Sequence, residues 1–189
     1  EANPAALRET AARLAEAHDP ATTVTYGMAE GATYRAVDVR PAHGSFAFAV
    51  ERRGTRIADV DLPLRGEHNV VNATGALALA AEIGVDPHVA AEALARFGGV
   101  ARRFDIRGSH GGATFVDDYA HLPAEIDAVL RAARDSGDGW RRVIAVFQPN
   151  RYNRMAAMWR DYADAFTAAD LVVLTDIYPS GTQPIPGVT

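Results

Sequence analysis

The sequence predicts an α/β fold in two parts, and three observations carry that reading. A β-branched apolar run, Val143, Ile144, Val146 and Phe147, has the character of a strand buried in a parallel sheet. Before it, Ile126, Val129, Leu130 and Ala133 recur at helical spacing, and after it the polar QPNRYNR leads into a further helix-like segment through Asp170. Earlier in the chain three strand signals precede two short amphipathic helices, the order of a mixed α/β domain.

The elements follow in order. Residues 4–18 have high helix propensity, with Leu7, Ala11, Leu14 and Ala15 on one face and Pro4 suited to a first turn. VTYG, TYRAVDVR and SFAFAVERRGTRIADVDL read as strands. In the last, Phe46, Phe48 and Val50 alternate with small residues, and the segment turns back as a hairpin at Arg53-Gly54. A helix over 68–83 places Val70, Ala73, Leu77 and Ala80 inward. After Gly84 a second runs from Pro87 to about Phe97 with Val89, Ala93 and Leu94 as its apolar stripe. Gly98-Gly99 is the strongest punctuation in the middle of the chain, so the domain boundary is placed at 98–103, dividing the chain into 1–99 and 100–189. Beyond it, a short apolar run around Val116 stops at Asp117 and Asp118. Strands and helices then alternate, so 105–175 is expected to form a mainly parallel sheet flanked by helices.

Composition bounds the function. A chain of 189 residues with 48% hydrophobic content can bury a sizeable core. A net charge of -5, with arginines scattered rather than striped, argues against nucleic acid as a partner. With no cysteine, disulfides and thiolate metal sites are excluded. Neither a membrane-length apolar run nor a charged-then-apolar leader is present, so the expectation is a cytoplasmic protein without a membrane partner.

The densest chemistry lies in DDYAHLPAEIDAVLRAARDSGDGWRRVIAVFQPNRYNR, 117–154. In open α/β sheets ligands bind beyond the carboxyl ends of the strands, so Asp118, His121, Asn150, Arg151 and Arg154 are expected to converge on one crevice. This segment resembles the carboxyl-terminal domain of the Mur ligases, the ATP-dependent enzymes that add amino acids to the peptidoglycan precursor. Three further blocks agree in order: GEHNVVNATGALALA (66–80) with the family's Gly-x-His-Asn-x-x-Asn segment, GVARRFDIRG (99–108) with its interdomain arginine motif, and DIYPSGTQPIPGV (176–188) with the Tyr-Pro-Ala-Gly-Glu stretch of the alanine-adding branch. No Gly-x-x-x-x-Gly-Lys-Ser/Thr phosphate loop occurs. The resemblance therefore implies a fragment: the end of a central mixed α/β ATPase domain followed by most of a Rossmann-like terminal domain, not catalytic by itself. It also implies ATP and Mg²⁺ as cofactors, with the metal ligands in the missing portion, and UDP-N-acetylmuramate and L-alanine as partners. The murein peptide recycling ligase is the nearest rival enzyme, though expected to lack FQPNRY, and a non-catalytic nucleotide-binding module of the same fold is a rival of another class.

Each candidate residue has a plain reading beside the functional one. Asn69 and Asn72, three apart at a helix start, share one face. An amide there can match the donor-acceptor edge of adenine, or one of them can simply cap the helix. Arg102 and Arg103 could be solvated surface charges. At a domain junction an Arg can instead fork onto phosphate, and the resemblance gives that role to Arg103. Asp117 and Asp118 point in opposite directions at a strand end, so a shared metal is disfavoured. The resemblance implies that Asp118 takes ribose hydroxyls across an interdomain cleft from Asn72, and that His121 is a nucleotide-side His whose usual companion is replaced by Leu122. Asn150 stands where the alanine-adding ligases carry His, and cannot act as a base near neutral pH. Arg151 and Arg154 are either a solvated helix start or the binders of the amino-acid carboxylate or acyl-phosphate, since cations at a helix start call for a negative partner.

Overall fold

The computed structural model describes Arg13 and residues 23–189; the helix expected over 4–18 lies, Arg13 apart, outside the described residues. The architecture is mixed α/β and separates into two units. One takes in the described residues up to Pro41 with Phe46–Pro63 and Glu67–Phe97, the other Ala42–Ser45, Leu64–Gly66 and Gly98–Thr189.

In the first unit β1 (Tyr26–Gly27), β2 (Tyr34–Ala42), β3 (Ser45–Arg52) and β4 (Thr55–Leu62) form one sheet in that order. β1 is parallel to β2, and β3 is antiparallel to β4. The β3–β4 turn is Arg53-Gly54 with φ of 51° and 80°, the two left-handed residues that match the twist of a tight hairpin. Ala58, Val60 and Leu62 of β4 are buried at the two-residue period, as are Phe48 and Val50 of β3, and α1 (Glu67–Glu82) follows. From α1, Val70, Ala73, Thr74, Leu77 and Ala78 are buried, and the Thr74 hydroxyl donates to the Val70 carbonyl at 2.8 Å. Buried Tyr34 donates its hydroxyl to Glu82 at 2.7 Å, which also takes Arg52 at 2.8 Å, tying the sheet to the end of α1.

α2 (Pro87–Ala95) starts where Asp86 accepts the His88 N–H at 2.8 Å and Pro87 fills the first turn. Its expected stripe is corrected: Ala91 is the buried residue, whereas Val89 is 57% exposed and Ala93 is exposed. Val89, Ala93 and Leu94 face an open apolar groove of about 380 Å³ shared with Ala76, Ala80 and Phe97. The apolar period is present, but nothing in this unit closes over it.

The second unit holds β5 (Asp105–His110), β6 (Ala113–Asp117), α3 (Pro123–Asp135), β7 (Ile144–Phe147), α4 (Tyr152–Met158), α5 (Tyr162–Ala165) and β8 (Leu171–Leu174). The parallel pairing expected here is made by β7 and β8, in register from Ile144↔Leu171 to Phe147↔Leu174. β5 and β6 form a separate antiparallel pair. The reason is local: Gly111-Gly112, with φ of 58° and 78°, make a two-residue left-handed turn that folds β6 straight back on β5. The core gathers Ile126 and Leu130 of α3, Phe147 of β7, Met155, Tyr162, Ala165 and Ile177.

Asp170 closes this unit's sheet end by accepting the Val143 N–H at 2.7 Å and the Arg134 guanidinium. The Val143 N–H and then the Arg134 hydrogen bond hold its carboxyl below the usual aspartate range, against a smaller opposing effect of burial. A lowered folded value means that the stability contributed is complete above the ordinary value of 3.8 and disappears as pH falls through the folded one. Asp170→Asn is therefore expected to flatten the acid limb of the thermal midpoint as pH falls below the ordinary value of 3.8. An unchanged acid limb in that variant would assign the acid sensitivity to other carboxylates.

Candidate functional site

The site is built at the end of β6. Asp117 closes the strand and pairs with Arg102, Nε to Oδ2 at 3.3 Å. Asp118, next in sequence, turns the other way, as strand alternation requires. Its carboxylate accepts the Phe104 N–H and the Ala120 N–H, both at 2.7 Å, and its side chain is 11% exposed. Asp118 thus stitches the end of β6 to the loop that precedes β5. Arg102 and Phe104 in that loop have φ of 60° and 49°, left-handed conformations that non-glycine residues adopt at a cost of about 1–3 kcal/mol each. Between them Arg103 is half exposed. Its guanidinium stands 4.0 Å from Asp118 Oδ1 and 3.8 Å from Glu125 Oε1, over the Tyr119 ring at 5.9 Å.

After Asp118 the chain runs through Tyr119 and His121 into α3. The His121 Nδ1 lies 2.9 Å from the Tyr119 carbonyl and 3.3 Å from Glu125 Oε2. The same Glu125 oxygen accepts the His121 N–H at 2.9 Å and the Leu122 N–H at 3.2 Å. Burial raises the Glu125 carboxyl, but those two N–H donors, with the charge of His121 when its ring is protonated and that of Arg103, outweigh it and leave the group lowered and ionised.

α5 closes the cluster from the other side. The Tyr162 hydroxyl donates to the His121 carbonyl at 2.7 Å, and its ring stacks on Phe147 at 5.6 Å. Burial raises the Tyr162 hydroxyl, with Arg154 opposing and Glu125 and Asp161 reinforcing, so Arg154 and Glu125 both act on this hydroxyl. Arg154, half-buried on α4, reaches back to the Asn150 carbonyl at 3.5 Å. Asn150 makes an isolated parallel bridge with Tyr178, and its Oδ1 is buried without a partner.

His121 and Asp118 thus lie in one network with Arg103, Glu125 and Tyr162, while Arg154 contacts the Asn150 carbonyl and reaches this cluster only through its charge on the Tyr162 hydroxyl. Arg151 does not join it: the structure uses its N–H, which donates to the Tyr178 carbonyl at 2.9 Å, while its side chain is exposed and makes no hydrogen bond or ion pair among the described residues. Its φ of 73° turns the chain there and α4 spans seven residues, so the expected pair of cations at a helix start becomes one inward Arg and one outward Arg. Glu125 and Tyr162 were not singled out from sequence. For Glu125 the signal was present: a Glu at the third helical position, placed to accept the N–H of the residue before the helix. Tyr162 sat inside a helix-like stretch with nothing to mark it.

In the first unit, Asn69 and Asn72 lie inside α1, as the third and sixth residues of a helix that begins at Glu67, so neither is the residue that precedes the helix. The Asn72 Nδ2 donates to Asn69 Oδ1 at 3.4 Å, which orients the exposed Asn72 amide.

Comparison with known proteins places this geometry. Residues 102–186 match the model of the Mur ligase glutamate ligase domain, and 5–80 that of the Mur ligase middle domain. The chain is 44% identical over 171 residues to UDP-N-acetylmuramate–L-alanine ligase of Bradyrhizobium sp. and 46% identical over 171 residues to that of Nitrobacter winogradskyi; each match covers 87% of this chain and 36% of the relative. The chain thus spans about a third of the length of these curated relatives. Among solved structures, UDP-N-acetylmuramate–alanine ligase from Thermotoga maritima aligns with a TM-score of 0.69 at 33% identity, over 82% of this chain and 34% of that one. The chain belongs to the Mur ligase family, with residues 5–80 in its middle domain and 102–186 in its glutamate ligase domain.

Proposed function

We propose that this chain is part of a cytoplasmic ligase that uses ATP to join L-alanine to UDP-N-acetylmuramate, residues 1–99 forming the end of the central domain and 100–189 the terminal one. The observation that carries the reading is the identity of 44–46% to ligases of that name across 87% of the chain. In such a reaction the muramate carboxylate is phosphorylated, the amine of L-alanine attacks the acyl-phosphate, and phosphate leaves. Positioning and charge neutralisation supply most of the acceleration.

The residues divide that work. The Asn72 amide, oriented by Asn69, offers its carbonyl and a remaining N–H to the adenine edge. Each Asp118 oxygen carries one backbone N–H and so keeps a lone pair for a ribose hydroxyl. Arg103 is half exposed and held by long ion pairs and the Tyr119 ring, with no side-chain hydrogen bond among the described residues, which leaves its fork available to phosphate. Arg154, half-buried on α4 with its charge felt at the Tyr162 hydroxyl, is the cation for the amino-acid carboxylate or the acyl-phosphate, and Arg151, with its side chain exposed, is the weaker candidate. Among the described residues no three His, Asp or Glu side chains gather, so none is assigned to Mg²⁺. No helix among them is long and apolar enough to cross a membrane.

Crossed substitutions in the parent ligase test the division. Asn72→Ala is expected to weaken ATP by about 1–3 kcal/mol while leaving the L-alanine requirement near wild type. Arg154→Ala should do the reverse, raising that requirement or depressing turnover with ATP binding retained. If both variants shift ATP and L-alanine alike, or neither shifts anything, the assignment fails.

A further inference from the structure

We infer that Glu125 is a positioning residue that fixes the ring of His121 with its proton on Nδ1, so that Nε2 is presented as a bare hydrogen-bond acceptor for an N–H or O–H group of a bound ligand.

The argument is one of donors and acceptors. The His121 Nδ1 is 2.9 Å from the Tyr119 carbonyl and 3.3 Å from Glu125 Oε2. A carbonyl and an ionised carboxylate can only accept, so Nδ1 must be the donor. In a neutral imidazole the other nitrogen then carries the lone pair. The His121 Nε2 makes no hydrogen bond among the described residues, and the side chain keeps 27% of its surface open.

The ring has little freedom to choose otherwise. Glu125 Oε2 holds the His121 N–H as well as its ring nitrogen, and the Tyr162 hydroxyl holds its carbonyl. The Tyr119 ring meets the imidazole edge at 5.2 Å. Main chain and ring are therefore fixed by the same carboxylate. Glu125 is itself seated by the Leu122 N–H and the Arg103 guanidinium. A lone-pair acceptor is the wrong partner for a phosphate or carboxylate oxygen and the right one for an amine. On the functional reading above, on which this clause alone rests, His121 meets the amine of the incoming amino acid, and anion binding falls to Arg154.

The test reads the tautomer directly. In the parent ligase labelled with ¹⁵N at histidine, the His121 signals are identified by their loss in His121→Gln. At about pH 8 they are expected to show a protonated Nδ1 and a bare Nε2. Glu125→Gln retains an acceptor and should keep that tautomer with turnover near wild type. Glu125→Ala should give a mixture of tautomers and lower kcat about tenfold with the KM for ATP unchanged. If the alanine variant does not fold, Glu125→Ser, too short to reach the ring, takes its place. A protonated Nε2 in the wild type overturns the inference, as does a wild-type tautomer ratio in the Ala or Ser variant. A parent with the Nδ1–H tautomer but no L-alanine ligation would sink the functional reading and leave this one standing.

Discussion

Asp118→Ala is expected to lower the unfolding free energy of the second unit by about 3 kcal/mol, the sum of two backbone hydrogen bonds to a charged acceptor at roughly 1.5 kcal/mol each. The carboxylate takes the Phe104 and Ala120 N–H groups at 2.7 Å from an 11% exposed position, so removing it leaves two donors poorly placed to find water. The loss is amplified by what those bonds restrain: Arg102 and Phe104 sit at φ of 60° and 49°, and Asp118 holds the second of them in place. Released, the loop should relax toward ordinary conformations and open the Arg102 and Arg103 peptide bonds to trypsin. Asp118→Asn, with one carbonyl oxygen, should restore about half of the stability. Urea unfolding and limited proteolysis together decide the matter. A wild-type midpoint with wild-type protease resistance in Asp118→Ala would mean that Asp118 serves only a ligand.

Tyr162 is the second position where a large effect is expected. Tyr162→Ala removes a buried ring stacked on Phe147 at 5.6 Å and is expected to cost about 3–5 kcal/mol, the range for a deleted core aromatic. Tyr162→Phe keeps the ring and loses only the bond to the His121 carbonyl at 2.7 Å, so about 1 kcal/mol of stability should go. The two variants separate packing from positioning. On the function proposed above, the phenylalanine variant of the whole protein should lose turnover out of proportion to its small loss of stability, because the His121 turn would no longer be anchored from α5. If activity and stability fall together in both variants, Tyr162 is a core residue and nothing more.

Much of the fold was legible because the deciding signals are local. Arg53-Gly54 requires a tight hairpin, and the alternation of Ala58, Val60 and Leu62 gives the buried face of β4. The run from Ile144 to Phe147 does pair in parallel, with Leu171–Leu174, but the expected burial is corrected: only Phe147 of it is buried, and Ile144 and Val146 are exposed, on a sheet of two strands. What was not legible depends on what lies opposite an element. The Val89, Ala93 and Leu94 stripe has the right period but faces an open groove, since periodicity names a face and not its partner. The Gly111-Gly112 turn was available as a hairpin signal, yet the strand it makes with β6 carries His110, Ser109 and Gly108 and lacks an apolar alternation. Asp118, His121 and Arg154 are candidates named through their motifs, and of these Asp118 and His121 share hydrogen-bonded surroundings at the end of β6. Glu125 and Tyr162 act through a carboxylate at a helix start and a hydroxyl 41 residues from its acceptor, and only folding brings that hydroxyl to His121.

The β7–β8 pair has a bearing on how the chain behaves in a test tube. Val146 is 71% exposed and Leu174 64%, with Ile144, Leu171 and Val173 also open, on a two-stranded parallel sheet. Such a pair offers unpaired N–H and C=O groups along both margins beside a greasy surface, the combination that invites strand-to-strand association between molecules. Association is therefore expected to rise with concentration, and a preparation of the polypeptide that stays clear when dilute is expected to turn turbid as it is concentrated.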